Sequence, residues 1–484
     1  MNMSPENILL RRYLCRRLAS YYSQPAHKVV GSIDSGFISR IPAGIKSCDA
    51  ATISSHENAV KLPMLDRGKV IDFRSLWGEW HWRQTYKRVY KEQQGMWLTP
   101  CELFKPYYSN ILANFVSVSV TKTSYSEEMF EIVEFGGGRG TNAKAILDHL
   151  SKCHPSVYKR LRRYTIFDTS PTLHELQKEV ILMDKDQPSH AEKVELVNLD
   201  LMHVAEGNAN FLCKSETPTV AIALELLDNL PHDKIGRCID TNEILQAELV
   251  PLKVSQLSDA GGNENTGTTE QTFEIDITRQ YTEIFAPLND PLLKEILSVA
   301  PKIYTPTTSQ GPRWIPTVAL GVLMKLFECR PNSTVAFADF DWLPQPDLGM
   351  SSDNQHYLNS SETSLHPIVE PAIGDPLVTD MNGVDHFSYL TEPSDALCDI
   401  LFPTDFGRLA AFVKQYRTTN NIEASGSLRK ASVTSSLALK QSDFLLKYGS
   451  NEVDNTKSWL TGFSPLVDDF GNCSVLTVAP RLQE

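Results

Sequence analysis

The segment that most constrains the fold is EIVEFGGGRGTNAKAIL, residues 131–147. It opens with a run of β-branched and aromatic residues that carries an acid, Glu134, near its end. Gly136, Gly138 and Gly140 follow, and an alanine-rich helical pattern begins directly after them. A strand, a glycine turn and a helix in this order predict a βα unit whose turn lets the backbone approach a ligand closely.

The middle of the chain repeats this alternation of strand and helix patterns. Helical runs such as TNAKAILDHL and PTLHELQKEVILM separate short apolar runs. The predicted strands lie at residues 129–135, 163–168, 194–200, 219–225 and 333–342. Strands that alternate with helices favour right-handed βαβ connections and a parallel sheet. The predicted fold class is therefore α/β, with a mostly parallel central sheet.

The flanking regions differ from this core. Residues 70–115 are aromatic-rich and helical in pattern, and the C-terminal VDDFGNCSVLTVAP predicts a hairpin-like ending that closes the sheet. Two longer strand patterns, EILQAELVPLKV and QTFEIDITRQY, enclose a polar hairpin tip. Polar composition predicts insertion loops near residues 257–272, 345–395 and 417–435.

The spacing of the glycines favours a particular ligand. They form G-x-G-x-G, which is shorter than the dinucleotide fingerprint, and the acid Glu134 precedes them instead of following about 20 residues later. S-adenosyl-L-methionine (SAM) needs close backbone approach but no pyrophosphate cradle, and a carboxylate suits its cationic groups. Asp168, at the end of the next predicted strand, suits the ribose hydroxyls. A tight turn without a ligand is the alternative.

Two further carboxylates follow the fourth predicted strand, in IALELLDNLPHDK. Glu225 and Asp228 fall at the strand end, where a doubly wound sheet has its ligand crevice. They could hold a guanidinium and help remove its proton, which an arginine with a pKa above about 12 requires before it reacts as a nucleophile. Alternatively, Asp228 caps the next helix and Glu225 contacts only the amine of the cofactor.

Composition limits the other possibilities. The net charge of -13 argues against a protein that coats nucleic acid, and no apolar run approaches the ~20 residues of a membrane span. The nine cysteines are scattered without CxxC pairs or zinc spacing, so we expect reduced, mostly buried thiols and no metal site.

The N-terminus departs from the acidic average. Residues 1–40 are rich in arginine and contain serine but few acids, which is typical of a mitochondrial transit peptide. Four of these arginines, Arg11, Arg12, Arg16 and Arg17, lie close together in the sequence. We therefore predict a targeting segment over residues 1–40 that lies outside the fold. A basic surface helix of the mature protein is the alternative.

The motifs together resemble the MidA-like mitochondrial SAM-dependent methyltransferases, a family that includes the protein-arginine methyltransferase of complex I assembly. VEFGGGRGTNAKAIL is similar to the glycine loop of the family, and FDTSPTLHELQ and LELLDNLP are similar to its next two motifs. GMWLTPCELFKPYY resembles its opening segment, and DILFPTDF, KQSDFLLKYG and DDFGNCSVL resemble its later blocks. The resemblance runs, with gaps, from about residue 95 to residue 476.

The resemblance implies a class I (Rossmann-like) methyltransferase domain over residues 126–484, with a helical cap over residues 60–125. It also implies SAM as cofactor, contacts to it from Thr99 and Pro100, and a place in the mitochondrial matrix. The acceptor would be an arginine of a respiratory-complex or other assembly client, with Glu225 and Asp228 as catalytic residues.

The sequence departs from the family pattern on the acceptor side. Leu226 and Leu227 replace two phenylalanines, and Pro403 replaces a histidine. A second hypothesis is therefore an assembly factor of weak or absent activity that binds a mitochondrial partner subunit. Methylation of a small molecule is a third.

Overall fold

The computed structural model describes residues 7–23, 64–65, 70–92, 98–121, 127–182, 190–209, 211–252, 280–307, 311–344, 374–380, 385–386, 388–390, 397–425 and 436–479. The chain divides into two compact units. The first unit draws on residues 1–21, 229–320 and 344–403, and the second on residues 22–228, 321–343 and 404–484. The predicted single domain over residues 126–484 does not include this division.

The strands are numbered along the chain. In the described residues they are β1 (Ile8–Leu9), β2 (Met64–Leu65), β3 (Val70–Ile71), β4 (Phe130–Phe135), β5 (Leu161–Asp168), β6 (Val194–Asn198), β7 (Thr219–Leu224), β8 (Asp233–Arg237), β9 (Ile244–Pro251), β10 (Tyr281–Pro287), β11 (Arg313–Ile315), β12 (Ser333–Phe340), β13 (Leu377–Asp380), β14 (Asp385–His386), β15 (Cys398–Leu401), β16 (Ser436–Lys440) and β17 (Cys473–Val478).

The helices are numbered in the same way. They are α1 (Leu10–Tyr22), α2 (Glu79–Glu92), α3 (Pro100–Leu103), α4 (Tyr107–Thr121), α5 (Thr141–Cys153), α6 (Pro155–Arg160), α7 (Pro171–Gln177), α8 (Leu201–Ala205), α9 (Pro291–Val299), α10 (Pro301–Tyr304), α11 (Thr317–Cys329), α12 (Phe406–Ser425), α13 (Gln441–Asn455) and α14 (Pro465–Asp468). Two short 3-10 turns lie at Phe73–Ser75 and Leu227–Asn229, and a π-helical turn at Lys178–Leu182 follows α7.

The second unit is built on a seven-stranded sheet in the order β16-β17-β12-β7-β4-β5-β6. The pairs from β12 to β6 are parallel, and β17 runs antiparallel to both of its neighbours. The predicted α/β class with a mostly parallel sheet and a closing C-terminal strand is confirmed. The chain order reverses between β4 and β7, which makes that position the switch point of the sheet.

The central strands form because both of their faces are covered. Every residue of β4 is buried, and β7 is buried along all but its last residue. A strand covered on both faces needs a nearly continuous apolar run, and FEIVEF and TVAIAL have this composition apart from their few polar residues. The predicted strand positions are confirmed at their cores, with ends that differ by at most two residues.

The first unit contains antiparallel sheets. β9 pairs with β10, β8 and β1, and β8 pairs with β11. A smaller sheet has the order β14-β13-β15. The first long strand pattern, residues 243–254, is confirmed by β9. The second pattern, residues 271–281, lies outside the described residues except for its last two, and the strand β10 that pairs with β9 begins at its final residue, Tyr281. The predicted hairpin tip also lies outside the described residues.

The structure corrects two loop predictions. Residues 345–395 were expected to form a loop, but β13 and β14 lie within them, because the apolar Leu377 and Val378 pack in the first unit. Residues 417–425 continue helix α12. Within residues 345–395 the structure also describes residues 374–376 and 388–390, and the rest of that segment lies outside the described residues. Residues 426–435 lie outside them as well. The predicted insertion at 257–272 lies outside them entirely.

The arginine-rich N-terminus has a place in the first unit. Strand β1 pairs with β9, and the Arg11 guanidinium contacts Asp233 Oδ2 at 2.8 Å and Asp290 Oδ2 at 2.6 Å. Arg11 is only 2% exposed, whereas Arg12 is exposed. The prediction that residues 1–40 lie outside the fold is therefore wrong for β1 and Arg11. Targeting by this segment stays a prediction.

The described part of the chain bears on the predictions for cysteines, metal ligands and membrane spans. The eight cysteines there are free thiols, of which three are buried. The same residues contain no group of three or more potential metal ligands. No helix among them has the length and apolar character needed to cross a membrane.

The buried ion pairs of Arg11 generate a stability prediction. Arg11→Ala leaves the carboxylates of Asp233 and Asp290 buried without their partner, which should cost about 3–5 kcal/mol. Hydrogen–deuterium exchange across β9 would measure this loss. Arg12→Ala, which removes an exposed guanidinium on the same helix, should change the exchange by less than about 0.5 kcal/mol. Equal effects of the two substitutions would contradict the structural role of Arg11.

Candidate functional site

The candidate site lies at the carboxyl edge of the seven-stranded sheet. Strands β4, β5, β7 and β12 are parallel, so their last residues meet at the same edge. The segments that follow β4 and β7 lie on either side of the switch point, where open α/β sheets bind their ligands. The structure therefore brings the predicted glycine turn and the predicted acidic residues together at one edge.

The glycine turn follows β4 and begins helix α5. Gly136, Gly138 and Gly140 all have positive φ, at 68°, 51° and 85°, a region that other residues adopt only with strain. A Cβ added at Gly140 would approach Ile181 Cδ1 to 3.0 Å, whereas one at Gly138 would meet no heavy atom within 4 Å. Gly140 therefore allows close packing on the segment after α7, and Gly138 faces open space that a ligand can occupy.

Glu134, near the end of β4, is hydrogen-bonded to one residue of α5 and one residue of β5. It is only 2% exposed, and its two carboxylate oxygens accept hydrogen bonds from Asn142 Nδ2 at 2.7 Å and from the Tyr164 hydroxyl at 2.8 Å. Burial raises the pKa of Glu134 to about 7, although both hydrogen bonds lower it. The carboxylate thus fixes the first turn of α5 against β5. Its predicted place beside the methionine end of SAM stays a prediction.

Asp168 lies at the end of β5, as predicted. Its Oδ1 accepts a hydrogen bond from the Ser170 amide at 3.1 Å, and its Oδ2 accepts one from Gln177 Nε2 at 3.3 Å. Burial raises its pKa, while these bonds and the field of His174 lower it. The predicted contact with a ribose stays a prediction, since the structure carries no ligand.

Gln177 is a site residue that the sequence analysis did not single out. Its Nε2 also donates to the Gly138 carbonyl at 2.9 Å, so it joins the glycine turn to Asp168. Its Oε1, and Oδ1 of Asn142, are buried and have no hydrogen-bond partner among the described residues. The final glutamine of FDTSPTLHELQ was the available signal, because it lies one helix after the acid.

Thr99 and Pro100 begin helix α3 in the cap region. Thr99 is the N-cap residue, but its side chain makes no capping hydrogen bond. The link to the glycine turn runs instead through the buried Glu102, which accepts a hydrogen bond from Thr141 Oγ1, the first residue of α5. Glu102 also pairs with Lys105 at 3.3 Å. Contacts of Thr99 and Pro100 with a cofactor stay a prediction.

Glu225 and Asp228 follow β7 in a short turn. Glu225 has φ +47°, which is unusual for a residue with a side chain, and its amide donates to the Ala338 carbonyl at 2.9 Å. Burial, and then the field of Asp339, raises the pKa of Glu225 well above its ordinary value. Asp228 is buried within the 3-10 turn Leu227–Asn229. The two predicted residues thus lie in one turn, at the same edge as the glycines.

Asp339 is a second residue that the sequence analysis did not single out. It is 1% exposed in β12, and its carboxylate accepts the Asp228 amide at 3.1 Å and the Phe340 amide at 2.7 Å. Burial raises its pKa, and these backbone amides oppose the shift by stabilising the charged form. The signal in the sequence was ambiguous, because the strand ends in ADFD with a second acid at Asp341.

Comparison with known proteins assigns the family. The model of a family described as "Putative S-adenosyl-L-methionine-dependent methyltransferase" matches residues 111–423, well over half of the chain. The chain belongs to this family of SAM-dependent methyltransferases. Its cofactor is SAM, as the glycine spacing predicted.

One solved structure supports this methyltransferase fold. A protein from Burkholderia thailandensis, solved bound to S-adenosyl-homocysteine, is 14% identical with a TM-score of 0.53, and the match covers 99% of this chain and 89% of that one. Another protein from this organism is 15% identical with a TM-score of 0.48, over 78% of this chain and 80% of that one. Similarity at these identities shows the fold alone. The comparison with curated proteins gave no match.

The residues of the methyltransferase at the glycine turn fit SAM. The open space over Gly138 allows a ligand to lie on the backbone. The side-chain oxygens Asn142 Oδ1 and Gln177 Oε1, which have no hydrogen-bond partner in the described part of the chain, are acceptors for the amine and hydroxyl donors of such a ligand. Asp168 would hold the ribose, and Glu134 would contribute negative charge behind the turn.

The glycine turn generates a binding prediction. Gly138→Val should weaken binding of S-adenosyl-homocysteine at least about tenfold, because the new side chain fills the open space over the turn. Isothermal titration calorimetry on the full chain would measure the change. Gly207→Val is the matched control, since Gly207 also has positive φ, at 75°, and open space around its Cβ. The backbone strain is similar in the two variants. Equally weak binding by Gly207→Val would therefore show that strain, and not a filled ligand space, weakens binding.

Proposed function

We propose that this methyltransferase modifies an arginine side chain of a protein, and that Glu225 and Asp228 are its catalytic residues. The observation that supports this most directly is the acidic turn after β7, at the same sheet edge as the glycine turn. A guanidinium is cationic and planar, and paired carboxylates recognise it through charge-assisted hydrogen bonds. Respiratory-complex or other assembly clients in the mitochondrion are the proposed substrates.

The raised pKa of Glu225 suits this residue to accept the proton that an arginine must lose. When bound, SAM supplies a methyl group on a sulfonium, which a nitrogen lone pair can attack. The pKa of Glu225 is raised by burial and by Asp339, so its ionised carboxylate is a stronger base than an exposed glutamate. Glu225 would orient the guanidinium and take its proton, and Asp228 would add negative charge to the same turn. Positioning of the two reactants can supply about 7–11 kcal/mol.

Methyl transfer provides the test of this proposal. Full-length protein and labelled SAM are incubated with a mitochondrial extract, and the proteins are then hydrolysed to amino acids and analysed for methylarginine. Glu225→Gln should lower the label at least about 100-fold, because the base is lost, while S-adenosyl-homocysteine binding stays within about threefold. Glu192→Gln, an exposed glutamate of the same unit, should leave both unchanged.

Other results would redirect the proposal. Label in lysine or in a small molecule would overturn the arginine substrate. A wild-type protein that binds S-adenosyl-homocysteine and a client subunit but transfers no methyl group would favour the assembly-factor hypothesis.

We also propose that the protein is imported into the mitochondrial matrix. The arginine-rich composition of residues 1–40 supports import. Arg12 and Arg16 are exposed on helix α1, whereas Arg11 and Arg17 are buried. Because β1 and Arg11 pack in the first unit, we propose that residues 8–22 remain in the imported protein.

Import into isolated, energised mitochondria tests this proposal. The wild type should become protease-protected, and Arg12→Glu/Arg16→Glu should not, since it reverses the exposed charges and leaves the Arg11 ion pairs intact. Terminal peptide mass spectrometry of the protected form should find residues 8–22. Absence of protection for the wild type would overturn import, and loss of residues 8–22 would overturn their retention.

A further inference from the structure

Glu225 and Asp339 lie side by side at the ends of two paired strands. In the parallel register of β7 and β12, Leu224 is opposite Ala338, so the next residues along the two strands are these two acids. The hydrogen bond from the Glu225 amide to the Ala338 carbonyl continues the ladder by one step. Two carboxyl groups are thus adjacent at the edge where the acceptor has been proposed to bind.

The carboxylate of Asp339 is hydrogen-bonded to backbone amides. The Asp339 carboxylate accepts hydrogen bonds from the backbone amides of Asp228 and Phe340. The nearby amides of Leu226 and Leu227 also lower the pKa of Asp339. Three of these residues, Leu226, Leu227 and Asp228, belong to the turn that follows Glu225. Backbone amides of successive residues stabilise a negative charge, which here is carried by a side chain of the protein itself. The negative charge of Asp339 is therefore stabilised by the turn, and the turn is held by Asp339.

The turn needs such support because its first residue is strained. Glu225 has φ +47°, in the left-handed region where side chains are disfavoured. Residues in such conformations persist where the surrounding structure fixes them, and they are concentrated at functional sites. A glycine would remove the strain, but it would also remove the carboxylate from this position.

The other groups around Glu225 leave its charge without a compensating cation in the described part of the chain. Asp339 is the charged group whose field acts on it. Glu225 in turn acts on the buried Cys101, Tyr108 and Cys473, which are all neutral or acidic groups. Tyr108 donates to Gln441 Oε1 at 3.1 Å, and Gln441 Nε2 is buried without a partner among the described residues.

We propose that Asp339 is a positioning residue for the methyl acceptor: its carboxylate fixes the turn Leu226–Asp228 through the hydrogen bond from the Asp228 amide and so keeps Glu225 in the strained conformation that presents it to a cationic ligand. This inference rests on the proposed function for the identity of the cation. The effect of Asp339 on the turn rests on the hydrogen bond from the Asp228 amide and does not depend on the identity of the ligand. Asp339 itself does not contact the acceptor.

The first experiment measures the hold on the turn without any ligand. Asp339→Asn preserves volume but replaces one acceptor oxygen by a donor, so the amides of residues 226–228 should exchange hydrogen about 10- to 100-fold faster. Hydrogen–deuterium exchange on the full chain, read from peptides that span residues 224–229, measures this. Asp341→Asn is the matched control, because Asp341 lies just beyond the same strand but is bonded to Lys440 and Ser474. Equal exchange in the two variants would overturn the proposal.

The second experiment asks whether the turn serves a cation. Acetyl-arginine-amide and its neutral isostere acetyl-citrulline-amide are titrated into the protein saturated with S-adenosyl-homocysteine. The wild type should prefer the arginine probe, and Asp339→Asn should lose at least about tenfold of that preference while cofactor affinity stays within about threefold. A purely structural role of Asp339 would lower the melting temperature without changing the ratio of the two affinities.

The outcomes separate this inference from the proposed function. A wild type that binds neither probe would overturn arginine as acceptor, and faster exchange in Asp339→Asn would still support the hold on the turn. A wild type that prefers arginine, together with an unchanged preference in Asp339→Asn, would support the arginine substrate and overturn the positioning role.

Discussion

The site depends on the parallel pairing of β4, β7 and β12, which brings the ends of three strands to one edge. This pairing places Glu134, Glu225 and Asp339 within one acidic region, although they are far apart in the sequence. Burying carboxylates is unfavourable unless each charge is hydrogen-bonded or neutralised. Glu134 accepts hydrogen bonds from Asn142 and Tyr164, and Asp339 accepts them from the backbone amides of Asp228 and Phe340. The site therefore gathers several carboxyl groups at one edge and supplies hydrogen-bond partners from the fold to Glu134 and Asp339.

The fold was largely predictable because its signals are local. A strand buried on both faces requires a short apolar run, and the turn after β4 requires glycines at positions of positive φ. Both requirements are visible in VEFGGGRG without knowledge of any neighbour. The positions of Glu134, Asp168 and Glu225 at strand ends followed from the same pattern. These features depend on residues within one βα unit.

The partners of those residues were not predictable in the same way, because they come from distant parts of the chain. Asp339 receives the amide of a residue 111 positions earlier, and Arg11 contacts acids 222 and 279 positions later. Composition shows that the N-terminus is basic, but the neutralisation of Arg11 arises only when the first unit folds. The same limit applies to the division into two units, since each unit joins separate stretches of sequence.

The contrast between the two adjacent acids suggests how the site selects its ligand. Asp339 is satisfied by amides that the fold supplies, whereas Glu225 is presented in a strained conformation beside another negative charge. Its ionised form is therefore unfavourable in the protein alone, and a bound cation would relieve the repulsion. A neutral ligand of the same shape does not relieve this repulsion and so binds less favourably than a cation. The difference between the two binding free energies is the specificity of the site. Under the proposed function, an acceptor that carries its own positive charge is the one that this arrangement would favour.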